Sequence, residues 1–509
     1  MNYTPLARLI FNPIARRTRK WTTDEEAIQR SQLRKLLRMA RSTEIGRRYG
    51  FGDFCDSPDA YDRFAEQVPM VEYEDIRQDV MRMIAGEEDV LWPGRCMNYA
   101  QSSGTSGGRS KYIPVTDRSL QHCHYKGSAD CVAHYLATNP QSRLFSGKGF
   151  ILGGSFASEL KPEDPKVRIG DLSATLIDRI NPLANFFRVP GKKIALIPNW
   201  KRKLPELVKS ASRENITNIS GVPSWFLTVI REIMASRGAS TISEVWPNLE
   251  VFFHGGISFE PYRDEYQKLT DPARMHFRET YNASEGFFAV QDQPDDRSML
   301  LIVDNDVFYE FISIDAPDQK PVPLWEVEAG KVYELVITSS NGLWRYRLGD
   351  TVRVMTTHPV RIRIAGRTKS FINAFGEELM EENAEKALAT VCGETGAQVA
   401  NYSAAPVFAE GRRHGRHQWF VEWHVKPRDI EAFGRRLDEE LRKVNSDYDA
   451  KRSDDIFLDP LELISVPEGT FDHWLRTVGN HRLGGQRKIP RLSNDRRIAD
   501  ALEHMLSSE

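Results

Sequence analysis

Apolar side chains at Leu33, Leu36, Leu37 and Met39 recur at helical spacing, and residues 24–90 read as mostly helical. From about residue 145 to 365 the pattern changes. Short apolar runs, among them Gly149–Leu152, Leu249–Phe253 and Val332–Ile337, alternate with helical stretches, which is the α/β pattern. A short polar bridge, Gly366–Ser370, ends this region. Beyond it the spacing predicts a helix over Glu377–Cys392, an alternating strand over Gln418–Val425 and a helix over 428–445. A polar stretch, Asn445–Asp455, and an apolar one, Leu461–Val466, complete an α+β unit of about 140 residues, a comfortable domain size. The expected architecture is a large α/β domain over 1–365, a hinge at 366–370 and a small α+β domain over 371–509.

Composition narrows the function classes. The 509 residues carry a net charge of −2, which gives nucleic acid no bulk attraction. No apolar run approaches the length of a membrane span. Residues 1–23 contain no acid but carry Arg8, Arg16, Arg17, Arg19 and Lys20. Arg8, Asn12 and Pro13 break the apolar stretch Leu6–Ile14, so it is no secretory segment. It reads as a docked N-terminal helix, with an organelle-targeting or membrane-surface helix as the alternative. Cys55, Cys96, Cys123, Cys131 and Cys392 show no paired spacing, which points to a reducing compartment and a cytoplasmic protein. His122, Cys123 and His124, with Cys131 and His134 beyond, look like a metal cluster at first sight. Neighbours on a helix point apart and no C-x-x-C knuckle is present, so a helix with mixed faces is expected instead.

The densest chemistry lies in residues 99–116. Ser102, Ser103, Thr105 and Ser106 supply four hydroxyls, and Gly104, Gly107 and Gly108 let the backbone approach a ligand. Lys111 adds a point charge. Hydroxyls, bare N–H groups and a cation are what a triphosphate needs. A P-loop would close with Gly-Lys-Ser/Thr on a helix, but Arg109-Ser110-Lys111 fills that place and Lys111–Val115 reads as a strand. The same strand argues against a G-x-S-x-G nucleophile elbow, which a helix follows. A flexible Ser/Gly linker is the bland alternative.

Three further stretches carry chemistry. In Thr280–Gly286, one carboxylate, Glu285, sits beside small residues, which suits a Mg²⁺ bound partly by substrate phosphates. Tyr281 there could stack on a purine, and a surface turn is the alternative. In Gly342–Asp350, Arg345 and Arg347 alternate with Trp344 and Tyr346 along a strand, and Asp350 is expected at the turn after Gly349. An acid after a strand is placed to take both ribose hydroxyls, and an exposed strand with a turn aspartate is the alternative. Gly484–Arg491 is a glycine-led loop tipped with cations, or a solvated basic tail. Arg487 stands where a phosphopantetheine attachment site would need serine, so the chain is not its own acyl carrier.

Taken in order, these motifs form a signature. Ser-Ser-Gly-Thr-Ser-x-Gly-x-x-Lys, Tyr-x-x-Ser-Glu, Tyr-Arg-x-Gly-Asp, Gly-Arg-x-Lys and Gln-x-Lys-x-Pro-Arg follow one another as in adenylate-forming enzymes. The wording resembles the Gretchen Hagen 3 family, acyl acid-amido synthetases of the firefly-luciferase-like superfamily, from about residue 20 to the C-terminus. The shorter hinge and lack of plant-type insertions look like a bacterial branch. The resemblance implies a large α/β domain and a small domain that rotates between two half-reactions. A carboxylic acid and ATP would give an acyl-adenylate and pyrophosphate, and an amine, usually of an amino acid, would then form an amide. It implies that Ser102, Ser103, Gly104, Thr105 and Ser106, with Lys111, hold phosphates, that Glu285 binds Mg²⁺ and that Asp350 binds the ribose. Arg367 would reach the ribose or hinge, and Lys488 would neutralise the α-phosphate. Thr280 or Tyr281 would lie by the adenine or the acyl carboxylate, with Lys488, Glu285 and Ser102 as the catalytic set. The acid pocket would draw on Gly153-Gly154-Ser155, Val222 to Trp225, and His254-Gly255-Gly256, with core packing as the alternative for Trp225. An acyl-CoA ligase shares the first half-reaction, and a non-catalytic nucleotide binder is the third possibility.

Overall fold

The computed structural model describes residues 1–102, 110–158, 160–316, 319–367, 371–408, 414–453, 457–477 and 490–507. Ser103, Gly104, Thr105, Ser106 and Lys488 lie outside the described residues, as does the tip of the 366–370 bridge. The chain divides into two compact units, Met1–Ser102 with Lys111–Thr368, and Lys369–Glu509.

The first unit is built on a twelve-stranded mixed sheet. At one end, Arg188–Val189, Lys148–Ile151, Ile216–Gly221, Val251–His254 and His276–Ala283 lie side by side and parallel. Val251–His254 is buried along its whole length, as a strand covered on both faces should be. The sheet turns antiparallel at the hairpin of His276–Ala283 with Gly286–Val290. It continues through Met299–Leu301, Val360–Arg367, Leu343–Thr357, Val332–Ser339, Val307–Ser313 and Val322–Pro323. A separate three-stranded sheet joins Lys111–Pro114, Asn98–Ser102 and Arg168–Gly170. Within it Ser102 stands directly opposite Lys111 in an antiparallel pair.

The helical N-terminal region forms as the spacing predicts. Helix Glu25–Ala40 buries Leu33, Leu36, Leu37 and Ala40. Its buried Gln29 locks it to the sheet, donating to Val303 O and Val307 O and accepting from Tyr309 N. Ahead of it, helix Thr4–Arg17 docks on helix Tyr125–Thr138 through Arg8, which donates to Leu136 O at 2.6 Å and Asn139 O at 2.8 Å. Cys123 and His124 are buried against the sheet, and burial pushes the thiol up to about 12 and the imidazole down to about 4. Among the described residues no group of three or more His, Cys, Asp or Glu is arranged to hold a metal ion.

Strand Leu343–Thr357 corrects one expectation. Asp350 does not fall at a turn; the strand runs through it. Between the pairs Glu334/Thr351 and Val336/Arg347 one residue faces three, so Leu348–Asp350 form a bulge, with Gly349 at φ 79°. The bulge re-aims the strand without ending it. Nor is this strand exposed. Arg345 is buried, donates from Nε and Nη2 to the Glu310 carboxylate and from Nη1 to Ala65 O and Val68 O. Arg347 pairs with Glu334 at 2.6 Å.

In the second unit, Gln398–Val407, Arg416–Val425 and Glu462–Val466 form a sheet covered by helices Glu381–Thr395 and Ile430–Val444. The first helix begins four residues later than its spacing predicts. Glu377 turns inward instead, accepting from Ala374 N and Phe375 N and facing the buried His417 at 2.8 Å. The polar stretch after Asn445 is a helix, Ser446–Arg452, capped by Asn445 Oδ1 on Tyr448 N. Its Arg452 closes a buried pair with Asp438, which also accepts from Tyr448 Oη and Leu461 N.

Candidate functional site

Ligands in sheets of this kind bind beyond the carboxyl ends of parallel strands. Four of the five parallel strands of the first unit's twelve-stranded sheet send loops of interest from that edge. They follow Ile151, Gly221 and His254, and the fourth is the end of His276–Ala283 itself. Each carries sequence-predicted site residues.

The loops after His254 and at Thr280 meet without a gap. Thr280 Oγ1 donates to His254 O at 3.1 Å. A Cβ on Gly255 would lie 2.4 Å from Thr280 O and 2.8 Å from its Oγ1, so only glycine lets the two backbones touch. Gly256 follows at φ 83°, and a Cβ there would stand 3.5 Å from Val222 Cγ2. Val222, Gly256, Gly255 and Thr280 are therefore neighbours. Beneath them His254 is buried and stacks on Phe259 at 4.1 Å; burial lowers it to about 3, so the ring is neutral. Trp225 is half-buried, not core, with its edge on Trp200 at 5.8 Å.

One residue further, Tyr281 Oη donates to Asp350 Oδ2 at 2.7 Å. Tyr281 is 4% exposed and packs edge-on against Phe288. Its ring is thus part of the core and no platform for a purine; its hydroxyl holds Asp350. Asp350 in turn lies opposite Arg367 in the strand register. The structure thereby brings Thr280, Tyr281, Asp350 and the Arg367 backbone into one row.

Glu285 occupies the turn that follows, buried at 9% exposure. Its carbonyl accepts from Asn341 Nδ2 at 2.7 Å. The adjacent Ser340 O accepts from Thr116 Oγ1 at 2.7 Å. Thr116 lies just past the antiparallel pair that carries Ser102 and Lys111, whose Val115 N bonds Asn98 O. The turn Ser340-Asn341 thus pins the stem of the glycine-rich loop and the Glu285 turn to one place. Sequence reasoning missed Asn341 and Thr116, since a buried amide in a turn carries no local signal.

The loop after Ile151 is fixed by two charges that sequence reasoning also missed. Asp171 Oδ2 accepts from Ser155 N at 2.7 Å and lies where a Gly154 side chain would be. Lys203, 1% exposed, donates from Nζ to Gly153 O at 2.6 Å. Burial lowers this ammonium to about 8, offset in part by Asp171. Ser155 is buried, and its Oγ accepts from Ala157 N. A helical stripe of lysines gives no hint that Lys203 points inward.

Glu279, next to Thr280, is pushed up to about 7, first by burial and then by the neighbouring Glu260. The folded state therefore keeps a proton that the unfolded chain releases between its ordinary carboxylate range and pH 7. Stability from this group falls as pH rises through that window. Glu279→Gln is expected to melt progressively higher relative to wild type as pH goes from 5 to 8. Melting curves at four pH values check it, and a pH-independent offset would refute the shift.

Three family models match the chain: the GH3 family N-terminal domain over residues 14–275, the central domain over 300–367 and the C-terminal domain over 382–497. An indole-3-acetic acid-amido synthetase of Arabidopsis thaliana, GH3.3, is 23% identical over 96% of this chain and 92% of its own length. A jasmonoyl–L-amino acid synthetase of Oryza sativa subsp. japonica is 22% identical over 66% of this chain and 69% of its own. Among solved structures, the GH3.15 acyl acid amido synthetase aligns with a TM-score of 0.59 at 19% identity, covering 95% of this chain and 94% of that one. A 2-hydroxyisobutyryl-CoA ligase, in complex with 2-HIB-AMP and CoA, aligns with a TM-score of 0.57 at 14% identity, covering 95% and 92%. At such identities the likeness shows the fold, an α/β domain followed by a smaller one.

Proposed function

The chain belongs to the GH3 family, and from that premise we propose that it joins a carboxylic acid to an amine, that of an amino acid, through an acyl-adenylate made from ATP. It is an AMP-forming ligase. The observation that carries the site assignment is the row from Gly255 through Thr280 and Tyr281 to Asp350 at the carboxyl edge of the parallel strands.

In the first half-reaction a carboxylate oxygen attacks the α-phosphorus and the bond to the β-phosphate oxygen breaks, releasing pyrophosphate. A bare carboxylate is a poor electrophile because its leaving group would be oxide; the leaving group of the mixed anhydride is AMP. Charge concentrates at the α-phosphate, so preorganised donors and cations dominate. Ser102 to Ser106 and Lys111 are assigned to the phosphates, Asp350 and Arg367 to the ribose, and Thr280 with Tyr281 to the floor under the nucleotide and the acyl carboxylate. Lys488 supplies the cation at the α-phosphate. In the second half-reaction the amine nitrogen attacks the acyl carbon, the bond to AMP breaks and the nitrogen loses a proton.

The residues present fit Mg²⁺ carried in on the triphosphate. Glu285 offers one carboxylate at a turn, and no described cluster would cage a resident ion. Bound there, Mg²⁺ would neutralise phosphate charge; Glu285 would hold it.

Ser155, Val222, Trp225, Gly255 and Gly256 are assigned to the acid pocket. Lys203→Met keeps the stem and removes the ammonium from Gly153 O. The KM for the acid is expected to rise about tenfold, the cost of one charge-assisted bond, with the KM for ATP within about twofold. An unchanged acid KM in a folded variant would detach this loop from the pocket.

No described helix is long and apolar enough to cross a membrane, and all five cysteines are free thiols. A cytoplasmic location is the reading these support. Screening carboxylic acids by pyrophosphate release without amine tests the function, followed by addition of amino acids or CoA. Amide formation supports the proposal. Thioester formation alone would make the chain an acyl-CoA ligase, and no pyrophosphate with any acid would leave a nucleotide binder.

A further inference from the structure

Helix Thr4–Arg17 docks through a mixed face, on which Thr4 is buried and Phe11 stacks on Phe145 at 5.8 Å. Arg8 donates to the carbonyls that end the neighbouring helix, and Arg17 pairs with Asp130 at 2.7 Å and Asp304 at 2.9 Å. The opposite face presents Leu6, Leu9 and Ile10 at helical spacing, 63%, 72% and 65% exposed. Beside it the turn Pro182–Phe187 exposes Leu183 at 71% and Phe186 at 75%. The two elements adjoin, since Phe187 meets Tyr3 edge-on at 5.8 Å. Met1 aside, these five are the most exposed large apolar side chains among the described residues, and all fall in one region. Such a concentration on a protein surface marks a docking face.

Charge identifies what docks. The first 23 residues hold no acid. Arg16 and Lys20 continue the outer face beyond the apolar stripe, exposed, and no carboxylate among the described residues pairs with them. An apolar stripe rimmed by cations matches the interface of an anionic bilayer. Self-association would bring two acid-free basic segments together, which disfavours a second copy as the occupant. We propose that this face lies in the plane of an anionic lipid surface, with Leu6, Leu9, Ile10, Leu183 and Phe186 in the acyl boundary and Arg16 and Lys20 at the headgroups. A helix of 14 residues is too short to span, so the contact is peripheral.

Co-sedimentation of the full chain with vesicles of phosphatidylcholine alone, and of phosphatidylcholine with about one third phosphatidylglycerol, tests this. Wild type is expected to pellet with the anionic vesicles only. Leu9→Glu/Ile10→Glu is expected to lower partitioning at least tenfold, and Arg16→Glu/Lys20→Glu about tenfold, with melting temperature unchanged because these side chains touch little. Should the first variant misfold, Leu183→Glu/Phe186→Glu probes the same face from another element and is expected to give the same loss. Failure of wild type to bind anionic vesicles would overturn the proposal, as would equal binding to both compositions. So would a wild-type dimer in sedimentation velocity that Leu9→Glu/Ile10→Glu dissociates.

Discussion

Asp350→Ala is expected to raise the KM for ATP by about a hundredfold. The carboxylate is assigned two ribose hydroxyl bonds, each worth roughly 1.5–3 kcal/mol when charge-assisted, and each 1.4 kcal/mol is about tenfold. The substitution also strands the Tyr281 hydroxyl, which the carboxylate accepts at 2.7 Å, so some loss of stability accompanies it. Two measurements separate the contributions. In wild type 2′-deoxy-ATP should bind about tenfold worse than ATP, and in Asp350→Ala that preference should vanish. Tyr281→Phe should keep the preference for ATP while weakening both nucleotides alike, because it loosens the acid without removing it. If Asp350→Ala lowers ATP and 2′-deoxy-ATP use equally relative to wild type, Asp350 is a structural acid and the ribose lies elsewhere.

How much of this site was legible in the sequence depends on how local its cause is. The strand that starts at Lys111, the strand Val332–Ser339 and the helix Glu25–Ala40 follow from neighbours in sequence, and the structure has them. The order of motifs along the chain is likewise a sequence property, and it carries the family. What failed had a tertiary cause. Asp350 read as a turn residue because Gly349 is a turn signal, yet the pairing on both sides carries the strand through a bulge. Tyr281 read as a purine platform because nothing local reveals that Phe288 and Asp350 close around it. The helix expected from Glu377 starts at Glu381 because a buried histidine forty residues on claims that carboxylate. Lys203 and Asn341 were silent for the same reason: a buried polar group is defined by its partners, and those lie 50 and 56 residues away.

Lys488→Ala is expected to cut pyrophosphate release by about a hundredfold to a thousandfold, the range for losing one preorganised group at a developing charge. The residue lies outside the described part of the chain, but the segment that follows it does not. Two residues on, Pro490 O accepts from Ser403 Oγ at 2.8 Å, and Ala404 N donates to Arg491 O at 2.9 Å. Arg491 Nη1 reaches Asn401 at 2.7 Å. Strand Gln398–Val407 of the second unit thus holds Pro490 and Arg491, two and three residues past Lys488, and on that ground we assign Lys488 to that unit. A cation carried by a separately folded unit acts only while that unit faces the reacting phosphate. Its loss should therefore spare the second half-reaction. Lys488→Ala, given a chemically prepared acyl-adenylate and an amine, should form amide within about threefold of the wild-type rate, since no charge then develops on a departing pyrophosphate. A residue that merely supports the fold would harm both half-reactions together. Parallel loss of pyrophosphate release and of amide formation, in a variant that melts like wild type, would show that Lys488 serves both states and that rotation of the small unit does not separate them.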